Sequence, residues 1–204
     1  MAKSSNPPDN KDLQDFLADK RNLIVLSGAG ISVGSGIPTY RDKDGTWKRS
    51  NPIQHQDFMS RKLARQRYWL RSFSGWPAVA SAVPTPSHNV IAELERCKIV
   101  QMVVTQNVDR LHQQAGSQNV IDLHGRLDEV VCMSCQKITP RNTLQSKLEL
   151  LNPSFSQQGN VAPDGDADVP EKLVPGFVVP TCEDCGGILK PNVVFFGDSV
   201  NKSI

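Results

Sequence analysis

Five cysteines stand in the 204-residue chain, and four of them form two Cys-x-x-Cys pairs with a spacing that suits a metal ion. The pairs are Cys132 with Cys135 and Cys182 with Cys185. Four thiolates close a tetrahedral shell around zinc and leave no open position for water, so they predict one structural zinc ion. The alternative is thioredoxin-like redox chemistry, but neither pair has the required strand-to-helix context. The fifth cysteine, Cys97, ends an apolar helical pattern, which predicts a buried core thiol.

A glycine-rich turn supplies residues for a second kind of chemistry. The apolar run 23–26 predicts a parallel strand with both faces covered, and Gly28 and Gly30 follow it directly. Glycine allows the backbone to approach a pyrophosphate, and a following helix would offer free N–H groups and the positive end of its dipole. Arg41 could then pair with a phosphate through two hydrogen bonds. A tight strand-to-helix turn with no ligand is the alternative.

Polar residues follow two further predicted strands. Residues 99–104 form a second apolar run, and Gln106, Asn107 and Asp109 come directly after it. A third, short apolar strand leads to His124. Open α/β sheets bind ligands at the carboxyl ends of their strands, and a neutral imidazole with an ordinary pKa suits a general base. Taken alone, Asn107 could instead cap a helix, and His124 could be structural.

The remaining pattern consists of helices that must hold these strands in place. A helix between the first two strands favours a parallel crossover, and therefore an α/β fold. In one predicted helix, residues 56–73, Tyr68 and Arg71 lie three positions apart, so a phenol and a guanidinium share one face and could hold a carboxylate. A solvated or structural basic face is the alternative. Further helices are predicted at residues 10–20, 86–97 and 141–151, and a long loop at 152–176.

Composition restricts the class of protein. The net charge is +2, which gives no electrostatic case for nucleic acid or an anionic membrane as a partner. No apolar run approaches the roughly 20 residues that cross a bilayer. Acidic residues among the first 20 positions fit neither a secretory signal nor a transit peptide. Cysteines arranged in metal-binding pairs indicate a reducing compartment.

The segment GAGISVGSGIPTYR resembles the signature of the sirtuin family of NAD-dependent protein-lysine deacylases, and TQNVD, LHG and KPNVVFFGD resemble three later segments of that family. This resemblance implies a Rossmann-like parallel sheet with helices on both faces, plus a small zinc-binding module. It also implies NAD as the cofactor and acyl-lysine proteins as the substrates. The acyl oxygen would attack the ribose carbon as nicotinamide leaves, and the acyl group would pass to ADP-ribose.

The resemblance assigns roles to particular residues. His124 would be the general base, Gln106 would meet the nicotinamide ribose, and Asn107 and Asp109 would line the carboxamide pocket, with Ser32 nearby. The acyl-lysine peptide would add as a strand to Val194, Phe195, Phe196 and Gly197, although a core strand is the alternative. In this family, Tyr68 and Arg71 would mark a preference for acidic acyl groups. The full set expected at NAD is Gly28, Ala29, Gly30, Ser32, Pro38, Thr39, Tyr40, Arg41, Trp47, Gln106, Asn107, Val108 and Asp109. Trp47 is expected either to anchor a lid or only to pack.

The resemblance extends from Leu23 to Asp198 and then stops, which leads us to expect a truncated form that lacks the C-terminal part of the sheet. The expected organisation is an N-terminal tail and helix (1–22), an NAD-binding portion (23–126) with a helical insert at about 52–84, a zinc module (127–190), and the start of a substrate-binding strand (191–204). Two alternatives to deacylation are protein mono-ADP-ribosyl transfer and an inactive fragment.

Within the family, the segments RQRYWLRSFSGWP and CGGILKPNVVFFGDSVN look most like the class II, mitochondrial sirtuin 4 type. That resemblance implies the mitochondrial matrix, although no transit peptide is readable; the alternative is a cytoplasmic or nuclear location. The sequence does not define an oligomeric state, the preferred acyl group or the protein targets.

Overall fold

The computed structural model describes residues 11–39, 41–42, 44–46, 53–155, 167 and 169–200. A 3-10 helix, Ala29–Ser35, follows the first strand, and another, Glu171–Gly176, precedes the last. The other elements are, in chain order, α1 Lys11–Ala18, β1 Leu23–Ser27, α2 His55–Ser60, α3 Lys62–Ala80, α4 Pro86–Arg96, β2 Val100–Thr105, α5 Leu111–Gln114, β3 Val120–Asp122, β4 Gly125–Cys132, β5 Ile138–Pro140, α6 Arg141–Leu151 and β6 Leu189–Val193.

A parallel sheet in the order β1-β2-β3 forms the first half of the fold, as predicted. Ser27 lies opposite Thr105, and Thr105 lies opposite Asp122, so the three strands end at the same edge. Branched side chains fill β2, where Val100 and Val103 are buried. The residues that follow each strand therefore meet at one carboxyl edge.

The first strand differs from its prediction on one face. An unbroken apolar run predicts that both faces are covered, yet Ile24 is 64% exposed and Leu26 is 66% exposed. The physical reason is that the face of β1 that carries Ile24 and Leu26 has no packed layer over it among the described residues, and β1 is also an edge strand. An apolar run alone does not distinguish an edge strand from a central one.

The helical insert is split where the sequence predicts one helix. Arg61 has extended backbone angles, φ −116° and ψ 115°, and separates α2 from α3. The two helices pack against each other and bury Phe58, Trp69, Leu70 and Phe73 in the largest apolar cluster. That cluster also contains side chains of β4, α6 and the segment after β6, namely Val130, Leu144, Leu148 and Phe195. The insert therefore supports the second half of the fold.

A second sheet, antiparallel and in the order β5-β4-β6, forms that second half. Its central strand, β4, begins at Gly125, one residue after His124, and ends at a predicted zinc ligand, Cys132. One strand thus connects the predicted base to the predicted metal site. β4 also crosses the expected boundary between residues 126 and 127, and the division into separate domains stays a prediction.

Helix α4 begins at Pro86, as predicted, and corrects the prediction for Cys97. Thr85 caps the helix, and its side chain and His88 form a reciprocal capping box, with Pro86 at the first helical position. Cys97 is exposed, so the prediction of a buried thiol is wrong. The helix ends at Arg96, and Cys97 at its C-cap turns outward, with Sγ 3.7 Å from Glu93 Oε1.

In the described ranges, no helix has the length and apolarity to cross a membrane.

Candidate functional site

Three predicted residues meet in one hydrogen-bonded cluster at the carboxyl edge of the parallel sheet. Ser32 Oγ donates to Asp109 Oδ2 at 2.7 Å, and Asn107 Nδ2 donates to Ser32 Oγ at 3.1 Å. The same Asn107 amide donates to the Gly28 carbonyl at 3.2 Å. Ser32 is 1% exposed and Asn107 is 9% exposed. The turn after β1 and the turn after β2 are therefore joined by these three side chains.

Ser32 lies on a 3-10 helix rather than on the predicted α-helix. The segment ends at Gly36, which adopts φ +83° and donates its N–H to the carbonyls of Ser32 and Val33. A left-handed glycine cap, followed two residues later by Pro38, stops the helix after seven residues. The short helix keeps Ser32 close to the strand ends.

Gly28 and Gly30 leave open space at the turn. Gly28 has extended backbone angles that any residue can adopt, φ −143° and ψ −173°. A Cβ added at either glycine would meet no protein atom within 4 Å. The fold itself does not need glycine at these two positions. Backbone without side chains, facing open space, would allow the close approach of an NAD pyrophosphate. Ala29 lies between the two glycines.

His124 lies in the turn between β3 and β4, beside this cluster. Its Nδ1 is 3.0 Å from the Gln106 carbonyl oxygen, and a carbonyl can only accept, so Nδ1 carries the proton. The Nε2 lone pair is then the one that can take a proton. The His124 carbonyl accepts from the Val194 N–H at 2.8 Å. His124 is therefore fixed between the cofactor cluster and the predicted peptide segment.

Gly125 makes this turn possible. It adopts φ +77°, and a Cβ there would lie 2.2 Å from the Asn192 carbonyl oxygen. Only glycine allows β4 and β6 to approach so closely. The LHG motif thus combines the predicted base, His124, with the glycine that allows the turn holding it to form.

The loop after the 3-10 helix folds on itself. Thr39 Oγ1 donates to the Arg41 carbonyl at 2.7 Å, and Arg41 Nη1 donates to the Gly45 carbonyl at 2.6 Å. Arg41 is exposed, and Pro38 is half-buried. Two predicted NAD residues, Tyr40 and Trp47, lie outside the described residues. The predicted role of this loop at NAD stays a prediction.

Val108 faces the apolar side of the site. It packs on a buried cluster that includes Ile37, Leu111 and Leu127. Its carbonyl accepts from the Leu127 N–H at 2.9 Å, which ties the TQNVD turn to β4. Val108 therefore links the cofactor cluster to the strand that carries the second sheet.

The predicted peptide segment lies at the end of β6 and divides into buried and exposed parts. Phe195 is 8% exposed and contacts Phe58 and Tyr68, with ring centroids 5.2 and 5.1 Å away. Phe196 is 48% exposed, and Gly197 adopts φ +77°. Phe195 thus belongs to the core, while its neighbours on either side can be reached by a partner.

An ion cluster holds the far end of this segment. Asp198 Oδ2 lies 3.1 Å from Lys190 Nζ and 3.2 Å from His55 Nδ1. The His55 N–H donates to the Phe196 carbonyl at 2.9 Å. Burial lowers the pKa of Lys190, and the Asp198 carboxylate opposes that shift. The sequence reading missed these partners, although a lysine inside an apolar strand was a readable signal.

Tyr68 and Arg71 occupy one side of α3, as their spacing predicts, but they differ in surroundings. Tyr68 is 4% exposed and packs edge-on against Phe58 and Trp69. Arg71 is half-buried, and its carbonyl accepts from the Ala167 N–H at 3.0 Å. The Tyr68 ring touches Phe195, which brings Tyr68 close to the predicted peptide segment. A solvated face, one of the two alternatives for this helix, does not describe Tyr68.

A half-buried charge pair behind the TQNVD turn was also missed by the sequence reading. Arg110, in the left-handed region at φ 66°, pairs with Asp122, and Gln113 Nε2 donates to the same carboxylate at 3.0 Å. Burial raises the pKa of Asp122. An aspartate two positions before a predicted catalytic histidine was the available signal. The pair fixes the end of β3 against the turn that carries Asp109.

The four predicted zinc ligands come together, 47 to 53 residues apart across the two pairs. Cys132 Sγ and Cys185 Sγ are 3.4 Å apart, Cys135 Sγ and Cys182 Sγ are 3.8 Å apart, and all four sulfurs lie within 4.8 Å of one another. Zinc bonded to sulfur at about 2.3 Å in a tetrahedron places its ligands about 3.8 Å apart. The backbone N–H of Cys135 is the largest cause that lowers the pKa of Cys132, whereas the neighbouring thiols raise the pKa values of Cys135 and Cys185. These residues fit a structural zinc ion.

The parallel sheet with a bare glycine turn, the polar cluster at its carboxyl edge and the separate four-cysteine module define a dinucleotide-dependent α/β protein with a structural metal site. The chain belongs to the Sir2 family, whose model matches residues 28–204. The predicted family and fold class are thereby confirmed.

Three relatives indicate how similar the chain is to other members. It is 52% identical over 196 residues to an NAD-dependent protein deacetylase of Xanthomonas axonopodis pv. citri, covering 96% of this chain and 67% of the relative. It is 50% identical to NAD-dependent protein deacetylase 2 of Bradyrhizobium diazoefficiens, covering 98% and 74%. It is 48% identical to the NAD-dependent protein deacylase Sirt4 of Drosophila melanogaster, covering 95% and 64%.

Solved structures are similar over the same extent. A structure described as Sir2 bound to acetylated peptide matches with a TM-score of 0.71 at 30% identity, covering 96% of this chain and 67% of that chain. A Sir2 complex with a p53 peptide and NAD+ matches with a TM-score of 0.67 at 31% identity, covering 96% and 68%. The chain thus spans about two thirds of the length of these proteins.

Proposed function

We propose that the protein is an NAD-dependent protein-lysine deacylase. One observation carries the proposal: His124 presents a free Nε2 lone pair at the same sheet edge that holds the cluster of Ser32, Asn107 and Asp109. A proton acceptor beside a dinucleotide site is what activation of a ribose hydroxyl requires. Bacterial relatives that are 50 to 52% identical are named NAD-dependent protein deacetylases, which supports the same reaction class.

NAD would lie across the carboxyl edge of the parallel sheet. It supplies the ribose carbon that accepts the acyl oxygen and the nicotinamide that leaves. The bare backbone at Gly28 and Gly30 would face the pyrophosphate, and Gln106 would meet the ribose. Asn107 and Asp109 would orient the carboxamide, and Ser32, bonded to both, would fix their positions. This cluster favours departure of nicotinamide by holding it in one orientation.

His124 would take the proton from the ribose hydroxyl at Nε2. Its Nδ1–H stays bonded to the Gln106 carbonyl, which holds the ring in one tautomer and one orientation. The charge that develops on the imidazole is then stabilised through the same hydrogen bond. Gln106 would therefore have two roles: its backbone carbonyl accepts from His124, and its side chain would contact the ribose.

The acyl-lysine peptide would add as a strand along Val194 to Gly197. Phe195 anchors the segment in the core, and Asp198, between Lys190 and His55, holds its far end. Structures similar to this chain contain acetylated and p53 peptides, which supports a peptide partner. A segment fixed at both ends has little ordering entropy left to lose on binding.

The preference for an acyl group would depend on Tyr68 and Arg71. The contact between Tyr68 and Phe195 supports a position for this pair below the peptide segment, where a guanidinium could meet an acidic acyl chain. Arg71→Met should reduce kcat/KM for a glutaryl-lysine peptide more than for an acetyl-lysine peptide. Equal reduction for both peptides would refute an acyl-selecting role.

The sirtuin 4 type and a mitochondrial matrix location belong to the proposal as well. The 48% identity to the Drosophila Sirt4 deacylase supports this assignment, beside bacterial relatives of similar identity. Imaging of the tagged protein in its own cells, with a matrix marker, tests the location. A cytoplasmic or nuclear signal would overturn it.

The deciding experiment follows NAD consumption with an acyl-lysine peptide, with labelled ADP-ribose traced in parallel. We expect deacylated peptide and free acyl-ADP-ribose as the products. His124→Ala should abolish turnover while zinc content and the melting temperature stay the same, because its side chain makes only one hydrogen bond in the described structure. Activity unaltered by His124→Ala would remove His124 from the mechanism, and label retained on protein would indicate ADP-ribosyl transfer instead.

A further inference from the structure

Two histidines that the proposed reaction does not use lie buried behind the cofactor cluster. His88 on α4 is 0% exposed, and His112 on α5 is 1% exposed. Their ring centroids are 4.8 Å apart, and the ring planes meet at 65°. Buried imidazoles normally have hydrogen bonds at both nitrogens, so the protons of this pair can be assigned from their neighbours.

The neighbours of His88 fix its tautomer. The Thr85 backbone N–H donates to His88 Nδ1 at 3.1 Å, and the Thr85 hydroxyl lies 2.8 Å from the same nitrogen. A backbone N–H cannot accept, so Nδ1 must hold a lone pair. A neutral His88 therefore carries its proton on Nε2.

The neighbours of His112 place its proton on the same ring nitrogen, Nε2. His112 Nε2 lies 2.8 Å from Ser27 Oγ, and Ser27 Oγ donates its only proton to Thr105 Oγ1 at 2.8 Å. Ser27 can then only accept from the imidazole, so His112 Nε2 carries the proton. A neutral His112 consequently has its lone pair on Nδ1.

The two remaining nitrogens complement each other. His88 Nε2 would be a donor and His112 Nδ1 an acceptor, and both are buried with no hydrogen-bond partner among the described residues. Burial, followed by the proximity of His88, lowers the pKa of His112 to about 4, and burial also lowers the pKa of His88. Both rings are therefore neutral at pH 7.

We infer that His112 is a positioning residue for the cofactor pocket, acting through Ser27 and Thr105 on Asn107. Thr105 Oγ1 also accepts the Asn107 backbone N–H at 3.1 Å. Asn107 in turn reaches Ser32 and the Gly28 carbonyl. A donor at His112 Nε2 thus fixes both strand ends from which the pocket is built. The inference rests on the proposed function, because it assigns His112 to the binding of NAD.

The chain of hydrogen bonds from His112 to Asn107 is short, because Ser27 and Thr105 lie directly opposite each other in the register of β1 and β2. Both are buried, at 8% and 2% exposure, so no solvent can replace a missing donor. Without the His112 N–H, the Ser27 hydroxyl would be held by one hydrogen bond, to Thr105, instead of two, and Thr105 would have a less firmly fixed partner. The turn that presents Asn107 would then sample other orientations.

Two variants of His112 separate its donor from its bulk. His112→Gln can place an N–H where Nε2 lies, whereas the shorter His112→Asn cannot. For the purified chain we expect His112→Asn to raise KM for NAD about tenfold, the size of one lost buried hydrogen bond, and His112→Gln to raise it less than about threefold. KM for the acyl-peptide should change less than about twofold in both. An unchanged KM for NAD in His112→Asn would overturn the inference.

Ser27→Ala is the matched variant on the other side of the hydrogen bond, and it should raise KM for NAD to a similar extent. If the His112 variants do not fold, nitrogen-15 spectra of the wild-type imidazoles decide at pH 7 without NAD. We expect both histidines to be neutral, with the proton on Nε2. A proton on His112 Nδ1, or a charged imidazole, would refute the inference. Failure of wild-type protein to consume NAD would instead refute the proposed function and leave the spectra unaffected.

Discussion

Gly28→Ala should have separate effects on the stability of the fold and on the affinity for NAD. The substitution adds one methyl group at a position with extended backbone angles, where no protein atom lies within 4 Å of the new Cβ. The folded protein therefore has room for it. The unfolded chain loses conformational freedom, so we expect the free energy of unfolding without ligand to change by about 0 to 1 kcal/mol, in the stabilising direction.

The effect on NAD has the opposite sign. A methyl group projecting from the turn would hold the pyrophosphate away from the backbone N–H groups. Hydrogen bonds to charged groups contribute about 1.5 to 3 kcal/mol each, and losing one or two of them corresponds to roughly a hundredfold weaker Kd.

Calorimetric titration with NAD gives Kd, and a thermal melt of the same sample without ligand gives the stability. Gly30→Ala should behave in the same way, since its Cβ would also meet no protein atom. A melting temperature lowered by more than about 5 °C, a shift that corresponds to more than about 1 kcal/mol, together with an unchanged Kd, would refute the reasoning. Glycine would then serve packing rather than the approach of a phosphate.

Three further predictions follow from the same structure. Gly125→Ala should destabilise the protein by about 3 kcal/mol or more in chemical denaturation, because it combines a left-handed φ of +77° with a contact of 2.2 Å to the Asn192 carbonyl; an unchanged midpoint would contradict this. Gly187→Ala should reduce zinc content measured by atomic absorption, because the new Cβ would lie 2.8 Å from Cys132 Sγ; full zinc occupancy would contradict it. The pKa of His112 is lowered from 6.5 to about 4 by burial and by His88, against the attraction of Asp109 and Glu95, so the unfolded chain binds more protons between those values. Stability should therefore fall as pH drops from 6.5 to 4, by at most about 1.4 kcal/mol per unit, and His112→Gln should flatten that slope in acid denaturation; identical slopes would contradict the assignment.

Features with local chemical rules were predictable from the sequence. The two cysteine pairs needed only ligand type and spacing, and the start of α4 at Pro86 needed only the residues around it. The parallel strands followed from apolar runs separated by helices, which also placed Asn107 and His124 at one edge. These properties depend on residues close in sequence, or on a topology that has few alternatives.

Features that depend on distant packing were not predictable. The split at Arg61, the exposure of Ile24 and the exposure of Cys97 depend on which surfaces other elements cover. Periodicity places a side chain on a face but does not say what that face meets. His112 and Ser27 are 85 residues apart, and only the folded chain brings them together. Lys190 and Asp198 are closer in sequence, but their contact also depends on how the chain turns after β6.

The pairing of β4 with β6 connects the four-cysteine site to the turn that holds His124. Cys132 pairs with Leu189 at one end and Gly125 pairs with Val193 at the other, and the register of β4 against β6 shifts between Gly125 and Val130. Zinc that stiffens one end reduces the freedom of the turn that holds His124. By linkage, any ligand that orders His124 must strengthen zinc retention by the same coupling free energy. For the proposed function, zinc retention would therefore rise when a ligand orders the turn at His124.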